Sequence, residues 1–373
     1  METFIYPPYY LIIMVVILPK KQLAELLEAL KTSKKPLFFY DSDPDGLCSF
    51  LLLYRYIRQL GHESKGILVK SVSYLDKNWV RQAETFQPDA VFILDMPCVE
   101  QNFIDGVHSS VGKIPIYWID HHTPLVRTNV NYYNPRIAKK SAYIPTTRIA
   151  YEILKKESKD MWIAAVGCVA DWYVLDFKRT FVKQYPNLFS LNVKTEEVAM
   201  FDTVLGTLAR IYSFILKGKN NHVLKCVRAL AEVQSPDEIL QQSSKHGRLV
   251  YQYYEKVNVR YQALIAQAVQ TQPQDGFFVF VYEEDQWSFS SDLSNELAHR
   301  FPDYVTLVCR RKNDEYKCSL RSRTNPISTA LQKALVGVRG RGGGHEYACG
   351  AVINADEFER FIENLKNEMG HLR

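Results

Sequence analysis

Four short, unbroken apolar runs in the first third of the chain constrain its fold more than any other feature. PLFFY (36–40), GILVK (66–70), AVFILD (90–95) and IPIYWID (114–120) are continuous, with helical patterns between them. A strand buried on one face alternates apolar with polar residues, whereas a strand covered on both faces reads as an unbroken run. Such strands separated by helices predict a parallel sheet covered on both faces. Leu23, Leu26, Leu27 and Leu30 recur at helical spacing, and a helix is expected from about Leu47 to Leu60, stopped by Gly61. Residues from about 144 to 270 read as helical, TQPQDG (271–276) reads as a linker, and the last hundred residues return to α/β. The expected fold class is α/β and two-lobed. An N-terminal parallel-sheet domain takes residues 1–190, a helical connector 191–272 and a smaller C-terminal α/β domain 273–373.

Composition narrows the class. With 373 residues, 47% hydrophobic and 23% charged, the chain is neither disordered nor dependent on staples for a core. Lysine and arginine number 46 against 41 acids, a net charge of +5 that permits a polyanionic partner without demanding one. The seven cysteines include no C-x-x-C pair and lie mostly in apolar runs. They are expected to be reduced, buried thiols of a cytoplasmic protein, which excludes a disulfide scaffold and a cysteine zinc site. The apolar run YYLIIMVVIL (9–18) falls short of the ~20 residues of a bilayer span and lacks the preceding basic residues of a secretory signal. A buried strand or an N-terminal extension is expected there, and no membrane association.

The chemistry concentrates at strand ends. Asp41-Ser42-Asp43-Pro44-Asp45-Gly46 follows the first run, and three carboxylates so close repel unless a cation neutralises them. Oxygen donors of this kind suit manganese or magnesium. The calcium-loop pattern matches the same six residues but requires Glu where Leu52 stands. Asp95 ends the third run, and Asp120-His121-His122 ends the fourth. Carboxyl ends of parallel strands share one edge, where ligands bind, so these residues should converge. Asp171, at the end of a helix of small residues, is a further candidate.

D-x-D-x-D-G, a strand-end Asp, D-H-H and the late GRGGGH (340–345) followed by ACG (348–350) resemble the DHH phosphoesterase family with its DHH-associated C-terminal domain. The resemblance implies two manganese ions, with magnesium as a substitute, in a cleft between the lobes. Asp41 and Asp43 would hold the first ion, Asp45, His121 and Asp171 the second, and Asp95 would bridge both. His122 would face the scissile phosphate and Asp120 would orient the histidines. Gly342, Gly343 and Gly344 leave backbone N–H groups bare for an anion site beside Arg341 and His345, and Arg321 and Arg323 alternate along a strand. With the resemblance, Arg321, Ser322, Arg323, Arg341 and His345 become a grip on substrate phosphate.

Small-molecule members of the family resemble H-x-x-x-D-x-D, whereas D-x-D-x-D-G looks like the RecJ branch of single-strand exonucleases and its archaeal relatives. Single-stranded DNA or RNA is the implied partner, and a replication or repair protein is left open. Basic stretches at 217–225, 310–312 and 317–323, and the tyrosines Tyr251, Tyr253, Tyr254 and Tyr261, are candidates for a strand-binding groove. The alternatives are an enzyme for very short RNAs, adenosine bisphosphate or cyclic dinucleotides, and a replisome scaffold with little activity.

Overall fold

The computed structural model describes residues 17–70, 72, 74–154, 159–283 and 287–370. Most of the run at 9–18 lies outside them, and its last two residues, Ile17 and Leu18, are buried. No helix among the described residues is long and apolar enough to cross a membrane. The chain divides between Ala209 and Arg210 into two compact units.

The first unit runs α1 (Lys20–Thr32), β1 (Pro36–Asp41), α2 (Pro44–Gln59), β2 (Lys65–Val69), β3 (Tyr74–Leu75), α3 (Val80–Phe86), β4 (Ala90–Leu94), β5 (Cys98–Val99) and α4 (Gln101–Val111). It continues with β6 (Ile116–Ile119), β7 (Asn131–Tyr133), α5 (Pro135–Ala138), α6 (Thr146–Leu154), α7 (Met161–Ala170), α8 (Lys178–Gln184) and α9 (Glu196–Phe201). The main sheet has the order β2-β1-β4-β6-β7, with every pairing parallel. The runs of β1, β4 and β6 have the expected cause, for both faces are covered, whereas GILVK forms the half-buried edge strand β2. Leu37, Phe39, Val91, Ile93 and Trp118 pack with Val80, Phe103 and Ile104 of α3 and α4. The intervening Phe38 and Tyr40 meet Phe50 of α2, with ring centroids 5.8 and 4.2 Å apart.

Helix α2 starts three residues before the expected Leu47. Asp43 is its N-cap, accepting from Gly46 N at 2.8 Å, and Pro44 occupies the first turn, where a missing N–H costs nothing. Gly61 follows its end at φ 74°, as the stop signal implied.

Helix α10 (Val204–Ile215) crosses the division between the units. The second unit continues with α11 (Asn220–Glu232), α12 (Pro236–Leu240) and α13 (Lys245–Ala268), then β8 (Phe277–Glu283), α14 (Ser290–Arg300), β9 (Val305–Lys312) and β10 (Glu315–Arg321). It ends in α15 (Ser328–Ala334), β11 (Gly340–His345), β12 (Ala348–Asn354) and α16 (Phe358–Gly370). Its sheet has the order β11-β12-β10-β9-β8, antiparallel except for β8 with β9.

Two expectations need correction here. TQPQDG is no open linker: Gln274 and Phe277 exchange backbone hydrogen bonds at 2.8 Å around Asp275 and Gly276, whose φ values of 52° and 82° define a tight hairpin turn. Nor are all the cysteines free thiols, because Cys309 and Cys318 face each other across β9 and β10 and are bonded. Their separation in sequence hid a pairing that strand register makes direct. The other five are free, and all but Cys98 are buried.

Candidate metal centre

Strands β1, β4 and β6 are adjacent in the sheet, so their carboxyl ends deliver Asp41, Asp95 and Asp120 side by side. The strand order reverses direction between β1 and β4, the crevice where parallel sheets bind ligands. Gly46 is required here for close approach rather than for a sharp turn. A Cβ on it would lie 2.6 Å from the Asp41 carbonyl oxygen. Asp95 itself sits at φ 60°, a left-handed conformation that Asp tolerates better than most residues. A non-glycine residue held there is a local cost that surrounding structure must enforce.

Asp45 is buried in the first turn of α2. Its two oxygens accept from the backbone N–H groups of Thr146 (2.8 Å) and Thr147 (2.7 Å), the first residues of α6. A carboxylate at a helix N-terminus satisfies otherwise unpaired donors and meets the positive end of the dipole. The Thr146 hydroxyl donates to Asp95 Oδ1 at 3.0 Å. His121 Nε2 lies 3.3 Å from Asp95 Oδ1 and 3.8 Å from Asp45 Oδ2, while its Nδ1 lies 3.8 Å from Asp171 Oδ2. His122 Nδ1 pairs with Asp120 Oδ1 at 2.7 Å, and the other Asp120 oxygen accepts from His122 N, Tyr132 OH and Asn134 Nδ2. Tyr143 OH donates to both the backbone and the side-chain carboxyl oxygens of Asp171, and its ring meets that of His121 at 5.5 Å.

The electrostatics are those of crowded, buried carboxylates. Burial, then the neighbouring Asp45 and Asp43 charges, holds Asp95 and Asp171 well above the ordinary carboxylate range. Asp43 is pushed up to about 7 by burial and by Asp45 and Asp41, and Asp41 is raised chiefly by burial. Burial lowers His121. Burial also works against His122, but the hydrogen bond and charge of Asp120 outweigh it and leave that imidazole raised. Asp95 Oδ2 and His121 Nδ1 are buried without a hydrogen-bond partner. Buried unpaired acceptors are costly, and a hard divalent cation is the partner that carboxylate oxygens and a neutral imidazole fit. Among the described residues, two groups offer donors within 4.8 Å of one another: Asp95, His121 and His122, and Asp45, His121 and Asp171. Asp41 and Asp43 lie outside these tightest groups, but Asp41 and Asp45 are both close enough to Asp43 to raise it.

Sequence reasoning missed Tyr132, Asn134, Tyr143, Thr146 and Thr147, which hold the carboxylates in place. Only the threonines left a signal, since hydroxyl residues at the head of the helical pattern TTRIAYEILKK mark a helix N-terminus, itself an anion site.

In the second unit, Arg321, Ala348 and His345 lie in one row across β10, β12 and β11. The Arg321 guanidinium is half-buried, bonded to Asn295 Oδ1 at 2.6 Å and to the Leu320 carbonyl at 2.8 Å, and burial lowers its pKa. Strand β10 stops at Arg321, so Arg323 does not share a strand face with it, contrary to the alternation read from SLRSR. Ser322 is buried, and its Oγ accepts from Asn325 N. GRGGGH is likewise not a concave loop but the edge strand β11, which leaves Arg341 and His345 exposed. Its glycines serve close approach, for a Cβ at Gly342 or Gly344 would lie 2.8 or 2.4 Å from carbonyl oxygens of β12. Tyr254 and Tyr261 are buried in the packing of α13 and are not available to stack bases. Lys217, in one of the basic stretches, is ion-paired with Asp292 at 2.9 Å.

Comparison with known proteins agrees with this picture. A model of the DHH family N-terminal domain matches residues 37–170, and a DHHA1 domain model matches residues 251–371. No curated protein matches the chain by sequence. RecJ from Thermus thermophilus in complex with Mn2+ is similar in structure, with TM-score 0.62 and 17% identity over 94% of this chain and 54% of that one. This chain thus spans about half the length of the Thermus protein. An exonuclease RecJ bound to manganese gives TM-score 0.58 and 17% identity, with 94% of each chain covered. A pGpG-specific phosphodiesterase from Vibrio cholerae gives 0.51 and 12%, covering 91% of this chain and 99% of that one. At these identities the structural likeness shows a shared fold. With the two domain matches, strand-end aspartates and D-H-H box, the chain belongs to the DHH phosphoesterase family and carries a C-terminal DHHA1 domain.

Proposed function

We propose that this protein is a metal-dependent phosphodiesterase of the RecJ kind, releasing nucleotides from an end of single-stranded DNA or RNA. The observation that carries the reading is the convergence of strand-end aspartates with His121 and His122, in which Asp95 Oδ2 and His121 Nδ1 are buried and unpaired. Manganese, held by the RecJ structures of the same fold, is the preferred cation, with magnesium the substitute. Asp41 and Asp43 are assigned to one ion, Asp45, His121 and Asp171 to a second, and Asp95 to both. A bound metal pair supplies Lewis acidity and lowers the pKa of a bound water.

The chain's own groups do the rest. Asp120 fixes the His122 ring through Nδ1 and favours its protonated form, so Nε2 is the nitrogen left to donate to a phosphate oxygen or departing alkoxide. The amides of Thr146 and Thr147 hold the Asp45 carboxylate aligned. Arg341 and His345, exposed on β11, and Arg321 in the same row as His345 are assigned to substrate phosphate. The metal domain is placed in residues 1–190 and the substrate-binding domain in 273–373.

The test compares substrate lengths. An inactive Asp45→Ala variant is expected to bind a twenty-nucleotide strand with a slope of log affinity against log salt of roughly −2 or steeper, at about −0.7 per phosphate neutralised. It should bind that strand far more tightly than a dinucleotide. Equal affinity for both lengths across the salt series overturns the exonuclease reading in favour of a dinucleotide phosphodiesterase.

A further inference from the structure

The first unit holds a cavity of about 540 Å³ that the assignments above leave unused. Tyr132, Tyr143 and Tyr173 contribute to its wall, together with Leu18 and Ile144. The Tyr132 and Tyr143 hydroxyls are committed to Asp120 and Asp171, and their rings meet Trp118 at 4.0 Å and His121 at 5.5 Å, so the remaining ring surface is what these residues offer a ligand. Gln22, Lys139 and Ser141 add polar groups. A cavity of this size with aromatic walls and a few polar groups matches small-molecule sites in general, and rings at the wall suit a planar aromatic partner. Tyr143 touches Asp171, one of the assigned ligands, so only Tyr143 and Asp171 separate a molecule on its ring from a proposed ion.

We infer that the cavity is a binding site for a nucleobase. Resting on the nucleotide chemistry proposed above, the base comes either from the substrate strand itself or from a free nucleoside that acts through Tyr143 on Asp171. Stacking of a base on an aromatic ring contributes enough to change affinity by about tenfold or more.

The experiment uses the full chain and a wall residue that is not part of the metal centre. Ile137 lines the cavity and is 61% exposed, so Ile137→Glu can place a charged, non-stacking side chain at its wall without burdening the core. Adenosine binding is followed by saturation-transfer NMR in metal-free protein, a readout independent of hydrolysis. Wild type is expected to bind adenosine saturably in the millimolar range or tighter, and Ile137→Glu about tenfold more weakly. In a second arm, kcat/KM is measured for a trinucleotide and for the same molecule with its terminal base removed. A preference of about tenfold for the intact substrate that collapses toward one in Ile137→Glu identifies the substrate as the source of the base. Adenosine binding with no such preference identifies a free nucleoside. Equal adenosine binding by both proteins overturns the inference, and so does its absence together with an unchanged substrate preference. If no nucleic acid is hydrolysed at all, the proposed function fails while the adenosine arm still decides the cavity.

Discussion

Asp95 combines a left-handed backbone, complete burial and an unpaired oxygen, and these three facts lead to a specific substitution. Asparagine tolerates φ 60° as well as aspartate does, so Asp95→Asn removes the charge and keeps the backbone preference. Under the proposed assignment of Asp95 to both ions, hydrolysis should fall by a factor of about 100 or more with loss of metal, measured by elemental analysis. Activity above a few per cent with metal retained would refute the bridging role. The raised carboxyls give a second expectation. Asp43 stands at about 7 when folded, against about 3.9 unfolded, so the folded state holds the proton longer. Its contribution is present below about pH 4 and lost as pH rises through 7. In chelator, the melting temperature should therefore decline across that window, and Mn2+ should flatten or reverse the decline, since ligands bind metal deprotonated. A flat profile in chelator contradicts the unneutralised cluster.

At the scale of elements, the join between β1 and α2 carries the centre. Gly46→Ala would drive a methyl group against the Asp41 backbone and push the start of α2 from the strand. A loss of about 1–3 kcal/mol in stability is expected, with metal affinity reduced more than global stability would explain. Calorimetry of unfolding and of metal binding separates the two. Much of this architecture was legible in the sequence, because unbroken apolar runs and strand-end aspartates are local signals of a parallel sheet and its binding edge. What stayed hidden depends on register and tertiary contact. No local pattern tells that GRGGGH pairs as an edge strand, that Cys309 meets Cys318, or that Tyr143 reaches Asp171. The early start of α2 was legible in Asp43 and Pro44, but the acidic pattern drew the reading toward a loop.

Taken as a whole molecule, the chain separates the metal carboxylates from the row of Arg321, Ala348 and His345 in different compact units. His345→Ala should accordingly raise KM by about tenfold, the scale of a charged hydrogen bond to phosphate, and leave metal content intact. Loss of metal in that variant would show that His345 belongs with the ligands instead. The all-parallel sheet has a kinetic consequence as well. Parallel neighbours cannot be joined by a tight turn, and the donors run from Asp45 to Asp171, so the centre assembles only after distant segments have met. Bringing the carboxylates together early would add repulsion to the loop-closure entropy already opposing the fold. Cation binding is therefore expected on the native side of the folding barrier. Added Mn2+ should slow unfolding steeply while leaving the refolding rate almost unchanged, as stopped-flow chevrons with and without metal would show.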